Sequence, residues 1–171
     1  MAHPRMYDDS SPALKRLREI CLALPATFEK EAWGECTFRV TGGSMFAMTD
    51  SNHHGSKHTA VWVKATPMVQ EILVNADAKR FFVPPYVGPK GWIGVRLDYK
   101  VDWEELGGIL EDAHRMSAPK RLRASLPPAT DQAATTSRSV KTRRSVTTPK
   151  SKAAATAKPS ARTARSARKR S

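Results

Sequence analysis

The spacing of hydrophobic positions changes several times along the chain, and each change marks an element. Ser11-Pro12 opens a helix, because a Ser side chain can accept from the free amides of a first turn and Pro fits where no N–H is needed. Leu14, Leu17, Cys21 and Leu24 then share one helical face, with Ile20 beside them, until Pro25 stops the run. Short aromatic and β-branched runs follow at 28–33, 37–40, 45–49 and 59–65. They are divided by Gly34, by Gly42-Gly43 and by the polar stretch 50–57, a pattern that predicts an antiparallel meander. In the last run Val61 and Val63 alternate with Trp62 and Lys64, as expected when one face packs inward and the other faces out.

Thr66-Pro67 repeats the cap-plus-proline start, and Met68, Ile72 and Leu73 predict a short second helix reaching about Asn75. A further strand is expected over 92–97, after the turn-rich segment 84–91. Asp102 with Glu105 three positions on reads as a capping box, and Leu106, Ile109, Leu110, Ala113 and Met116 continue at helical spacing. Gly107-Gly108 inside that helix costs about 1 kcal/mol per residue relative to Ala, which predicts close packing against the sheet. The order of elements gives an α+β fold, an antiparallel sheet with helices on one face. No strand-Gly-helix phosphate motif interrupts it.

Composition divides the chain. Residues 118–171 hold fifteen Lys and Arg against the single acid Asp131, so this segment carries +14 and the remainder −1, within a net charge of +13. All twelve aromatic residues lie at or before Trp103, and beyond Leu126 the only apolar side chains larger than Ala are Val140 and Val146. Such a segment cannot bury enough surface to offset its chain entropy. Two units are therefore expected: a folded domain at 1–122 and a disordered Lys/Arg/Ala/Ser/Thr/Pro-rich tail at 123–171.

Several local patterns together resemble the MmcQ/YjbR family: Leu24-Pro25 with Glu29, Trp33-Gly34 then Thr37-Phe38-Arg39-Val40, and Met45-Phe46-Ala47. Later come Tyr86-Val87-Gly88-Pro89-Lys90-Gly91-Trp92, Val95-Arg96-Leu97-Asp98 and Trp103-Glu104-Glu105-Leu106. The resemblance spans roughly residues 12–120. It implies a CyaY-like fold with a paired-hairpin, "double wing" arrangement proposed for DNA binding, and it brings no catalytic residue set. Ser44 departs from the family by standing where members often carry Lys, and the loop 51–57 is longer and rich in His.

The strongest chemical signal is the tail: Lys120, Arg121, Arg123, Arg138, Lys141, Arg143, Arg144, Lys150, Lys152, Lys158, Arg162, Arg165, Arg168, Lys169 and Arg170, spaced by small and polar residues. Each such cation can approach a phosphate and release condensed counterions, which needs no fixed geometry and reads no sequence. Nucleic acid, DNA before RNA, is the expected partner. Within the domain, Lys64, Lys90, Trp92 and Arg96 are the candidate contacts. Phosphorylation near Arg143-Arg144-Ser145 would cancel local basicity.

Other chemistries find less support. His53, His54 and His58 lack a supporting carboxylate or thiolate at fixed spacing, and the first helix lacks an acidic ridge, so neither metal nor other cofactor is expected. Cys21 and Cys36 show no CxxC or zinc spacing, and no basic-then-apolar leader or membrane-length apolar run occurs. A cytoplasmic protein with reduced thiols, located at the nucleoid, is the expectation. Asp98 and Asp102 flank a turn and suit capping better than acid–base work. Trp62, Trp92 and Trp103 could line a ligand surface, although large aromatics in a small domain more often fill the core. The sequence thus points to a non-enzymatic nucleic-acid-binding protein. The competing class is a protein- or ligand-binding module whose tail only localises it, and a third is an enzyme with a pocket near Trp92.

Overall fold

A computed structural model describes residues 3–52 and 58–127 of the 171. The elements are α1 (Pro12–Ala23), β1 (Thr27–Ala32), β2 (Glu35–Val40), β3 (Met45–Ser51), β4 (Thr59–Val63), α2 (Pro67–Ala76), β5 (Phe81–Phe82), β6 (Ile93–Arg96), α3 (Trp103–Ser117) and α4 (Lys120–Ser125), with a 3-10 turn at Gly88–Lys90. The strands form one six-stranded sheet in the order β1-β2-β3-β4-β6-β5, with every pairing antiparallel. The α+β fold expected from the sequence is the fold of the protein.

Both cap-plus-proline starts work as read: the Ser11 hydroxyl accepts from the Leu14 amide, and the Thr66 hydroxyl from the Val69 amide. Only half of the capping box forms. Asp102 accepts from the Glu104 and Glu105 amides, while the Glu105 carboxylate turns away to pair with Arg80. A tertiary partner has won over the local one, since a guanidinium is a charged donor where the cap amide is a neutral one.

The main core lies between the sheet and the helices. Leu14, Leu17 and Cys21 of α1, Leu73 of α2, and Leu106, Leu110 and Ala113 of α3 meet Phe38, Val40, Phe46, Val61, Val63, Phe81, Ile93 and Val95. Helical and strand periods agree on which face is buried, which explains why the elements were legible. Cys21 and Cys36 are free thiols inside this core, and burial pushes both thiols upward from their ordinary range.

Three features differ from the sequence reading. A two-residue strand, β5, pairs with β6 between α2 and the 83–91 loop; it is too short to show a period. Gly107 does not pack closely, because a Cβ placed there would meet nothing within 4 Å. The folded part also runs past the expected boundary at 122. Leu122 and Leu126 pack against the main core, so their four-residue spacing holds α4 onto the domain instead of leaving Arg123 in a tail. Residues 128–171, with most of the basic tail, lie outside the described residues.

Candidate functional site

Among the described residues the sheet's other face carries no helix, and the strand register says what occupies it. Phe28 pairs with Arg39 and Lys30 with Thr37 across β1 and β2; Arg39 then stands opposite Met45, and Thr37 opposite Met48, Met48 opposite Trp62, and Trp62 opposite Gly94. A register shift between Phe38 and Arg39 brings both Met45 and Met48 to this side. Phe82 of β5 lies over Gly94, where a Cβ would come within 2.3 Å of its ring.

This face has two halves. Around β4, β5 and β6, Met48, Trp62 and Trp92 form a second buried cluster, joined by Met45, Phe82 and Val87. The 83–91 loop supplies Val87, and Gln70 of α2 fixes that loop by donating to the carbonyls of Gly88 and Trp92. Gly91, at φ +88, fits under Pro67, whose Cδ would lie 2.9 Å from an added Cβ. Around β1 and β2 the face stays open: Phe28 and Lys30 are exposed, and Arg39 is half-buried.

Strand β1 sorts its charges by side. Glu29 and Glu31 point to the helix side, where Arg18 grips Glu29 with two bonds of 2.7 and 2.8 Å and Arg5 reaches Glu31 at 2.8 Å. Arg18 holds the Glu29 carboxyl below the usual carboxylate range. Tyr7 completes this edge by donating to Glu31, and burial pushes its phenol up to about 12. On the open side Lys30 has no carboxylate partner, nor have Arg39 and Lys64, among the described residues. The Arg39 guanidinium instead donates to Thr37 Oγ1 at 3.1 Å, and Lys64 Nζ donates to Ser44 Oγ at 3.3 Å.

The residues expected to contact nucleic acid fall into distinct settings. Lys64 sits at the end of β4 beside the open half, and Lys90 is exposed at the end of the 3-10 turn. Trp92 is 7% exposed, its ring held in the second cluster. Arg96 is tied to Asp98 by two bonds of 2.9 and 3.1 Å, and this pairing lowers the Asp98 carboxyl. Lys120, Arg121 and Arg123 are on α4. Its first turn adjoins the β2–β3 turn, because the Ser44 amide donates to the Ser117 carbonyl and Pro119 stacks on Gly43. The remaining basic positions, Arg138 to Arg170, lie outside the described residues. Phe28, Lys30 and Arg39 were not singled out from the sequence, though the alternation Phe28-Glu29-Lys30-Glu31 carried the signal.

An open depression of about 570 Å³ lies at Trp103, away from Trp92, lined also by Asp77, Arg80, Tyr99, Lys100, Val101 and Asp102. Three of its four charges are engaged: Arg80 pairs with Glu105, Asp102 caps α3, and Asp77 accepts from the Lys79 amide, while Lys100 Nζ lies 6.0 Å from the Tyr99 ring centre. Among the described residues no cluster of three His, Cys, Asp or Glu could hold a metal ion, and no helix is long and apolar enough to cross a membrane. His53 and His54 lie outside those residues.

With this geometry in place, the chain can be set beside known proteins. The YjbR family pattern matches residues 22–116, more than half of the chain. The chain belongs to the YjbR family. A solved YjbR-like structure, the Deinococcus radiodurans protein DR2400, described as a DUF419 domain, superposes with a TM-score of 0.56 at 25% identity, covering 69% of this chain and 91% of that one. No curated protein matches. The YjbR match ends at 116 and takes in Phe28, Lys30, Arg39, Lys64 and Lys90; α4 and the basic segment fall beyond it.

Proposed function

We propose that this YjbR protein is a non-enzymatic nucleic-acid-binding protein of the cytoplasm, located at the nucleoid, in which the basic C-terminal segment supplies affinity for phosphates and the domain supplies a second contact. The observation that carries this reading is charge: fifteen Lys and Arg against one Asp over residues 118–171. Its support in the fold is position. α4 starts the basic segment next to the β2–β3 turn, which also carries Ser44 and so borders Lys64 and the open half of the sheet. Cations of the segment and of the domain can therefore meet one polyanion. DNA is favoured over RNA by the paired-hairpin arrangement that the resemblance to the MmcQ/YjbR family implies.

Mobility shift on duplex DNA with the full chain, and with a chain ended after Pro127, tests the reading. If about eight of the fifteen basic residues engage, the log of affinity should fall with the log of salt at a slope of roughly −7. Loss of most affinity in the shortened chain is expected, and absence of binding by the full chain would refute the reading. A protein-binding module is the second reading, favoured by one observation: Met68, Val69 and Ile72 form an exposed apolar stripe on α2.

A further inference from the structure

The open half of the sheet has a composition that a solubilising surface does not require. Along β1, Phe28 and Lys30 point outward two residues apart, roughly 7 Å along a strand. Trp33 follows at the tip of the β1–β2 hairpin. Phe28 is 41% exposed and Trp33 52%, so one exposed aromatic ring shares the outer side of edge strand β1 with Lys30 and a second stands in the turn that ends that strand. Trp33 is also held at φ 56, with Gly34 at φ 79, in a two-residue hairpin turn that favours small or Asn residues at both places. A bulky Trp in the left-handed region carries a local strain cost that glycine at that position would avoid. Beside Phe28 stands Arg39, and beyond it Lys64.

Flat aromatic faces interleaved with unpaired cations suit a strand whose bases are free to stack, because every base has a π-face and every linkage a phosphate. A duplex hides its bases and would use the cations alone. Lys30 on an edge strand also discourages strand addition, but that role calls for neither exposed ring.

We propose that the β1–β2 hairpin and the adjoining Lys64 form a site for single-stranded nucleic acid, with bases stacking on Phe28 and Trp33 and phosphates held by Lys30, Arg39 and Lys64. The proposal rests on the nucleic-acid reading above and gives the domain a substrate class within it. The basic segment provides contacts indifferent to strandedness; the hairpin distinguishes single strands from duplex.

The test uses the full chain and fluorescence anisotropy with labelled oligo(dT), oligo(U) and a matched duplex over a series of salt concentrations. Phe28→Leu keeps an apolar side chain but removes the stacking face, and should weaken oligo(dT) binding about tenfold with little change for duplex. The triple variant Lys30→Gln, Arg39→Gln, Lys64→Gln should make the single-strand salt slope shallower by about 2. Quenching of Trp emission by oligo(dT) should diminish in Trp33→Phe. Should Phe28→Leu prove unstable in a thermal melt, the triple variant, which leaves both aromatic rings and the apolar core in place, decides. Oligo(U) bound with the same losses as oligo(dT) assigns the site to either single strand, and losses with one alone assign it to DNA or RNA. Variants that leave oligo(dT) affinity and slope unchanged, or that weaken duplex equally, overturn the site while the nucleic-acid reading stands. A wild-type chain that binds none of the three probes overturns both.

Discussion

Two glycines, in opposite surroundings, should respond with opposite sign to the same added methyl group. Gly107 lies inside α3, and a Cβ there meets nothing within 4 Å. Ala at that position keeps a helical backbone it favours and narrows the unfolded ensemble, which should stabilise the domain by about 0.5–1 kcal/mol. Gly91 has φ +88, and an added Cβ would lie 2.9 Å from Pro67 Cδ and 3.0 Å from the Ala65 carbonyl oxygen. Gly91→Ala therefore combines a left-handed penalty of about 1–2 kcal/mol with a clash against backbone and a rigid ring. For a domain of this size 1 kcal/mol moves the melting midpoint by roughly 4 °C or somewhat more. Thermal unfolding followed by circular dichroism should thus show Gly107→Ala melting a few degrees above wild type and Gly91→Ala clearly below it. A drop in Gly107→Ala would mean that the glycine is needed for a contact that the folded chain by itself does not make.

Other perturbations follow from the ion pairs and caps. Arg18 lowers the Glu29 carboxyl, so its contribution is present above the unfolded value of about 4.3 and lost as pH falls through the lower folded value. Urea midpoints of Glu29→Gln should accordingly depend less on pH below about 4.3 than those of wild type. Buried Glu35 has the reverse sign: desolvation raises its carboxyl, although Thr49 and Ser51 donate to it. Stability falls as pH rises from about 4.3 through the higher folded value, and Glu35→Gln should remove that fall, as urea midpoints at pH 4 and 7 would show. Asp102→Ala leaves the first amides of α3 uncapped and should cost about 1 kcal/mol in the same assay. Ending the chain at Pro119 removes the partly buried Leu122 and Leu126 and should cost about 2 kcal/mol, whereas ending it at Pro127 should leave the melt unchanged.

The sheet and three of the helices were legible because each buries one face with its own period. The Leu14-Leu17-Cys21 stripe and the Val61/Val63 alternation leave little choice of side. What escaped the sequence reading was decided by tertiary partners. Glu105 has the spacing for a capping box but meets Arg80, and Leu122 reads as a boundary until the core beside it is known. Arg96 and Lys64 look alike on neighbouring strands, yet Asp98 neutralises the first while the second meets only a hydroxyl. Trp92 offered the same ambiguity, since a Trp beside a turn reads equally as ligand surface or as core. The unpaired row at Lys30 and Arg39 emerges only once the strand register assigns Glu29 and Glu31 to the far side.

The docking of α4 beside the β2–β3 turn also sets a distance. Leu122 and Leu126 hold the segment up to Pro127 on the domain, and only ten residues stand between Pro127 and Arg138, so that cation can never be more than roughly 40 Å from Pro127. If the basic segment binds nucleic acid as proposed, a strand caught by it is thereby confined near the domain at an effective concentration on the order of millimolar. A hairpin site too weak to be noticed in isolation would then still be occupied, and could decide which of the captured polyanions is retained.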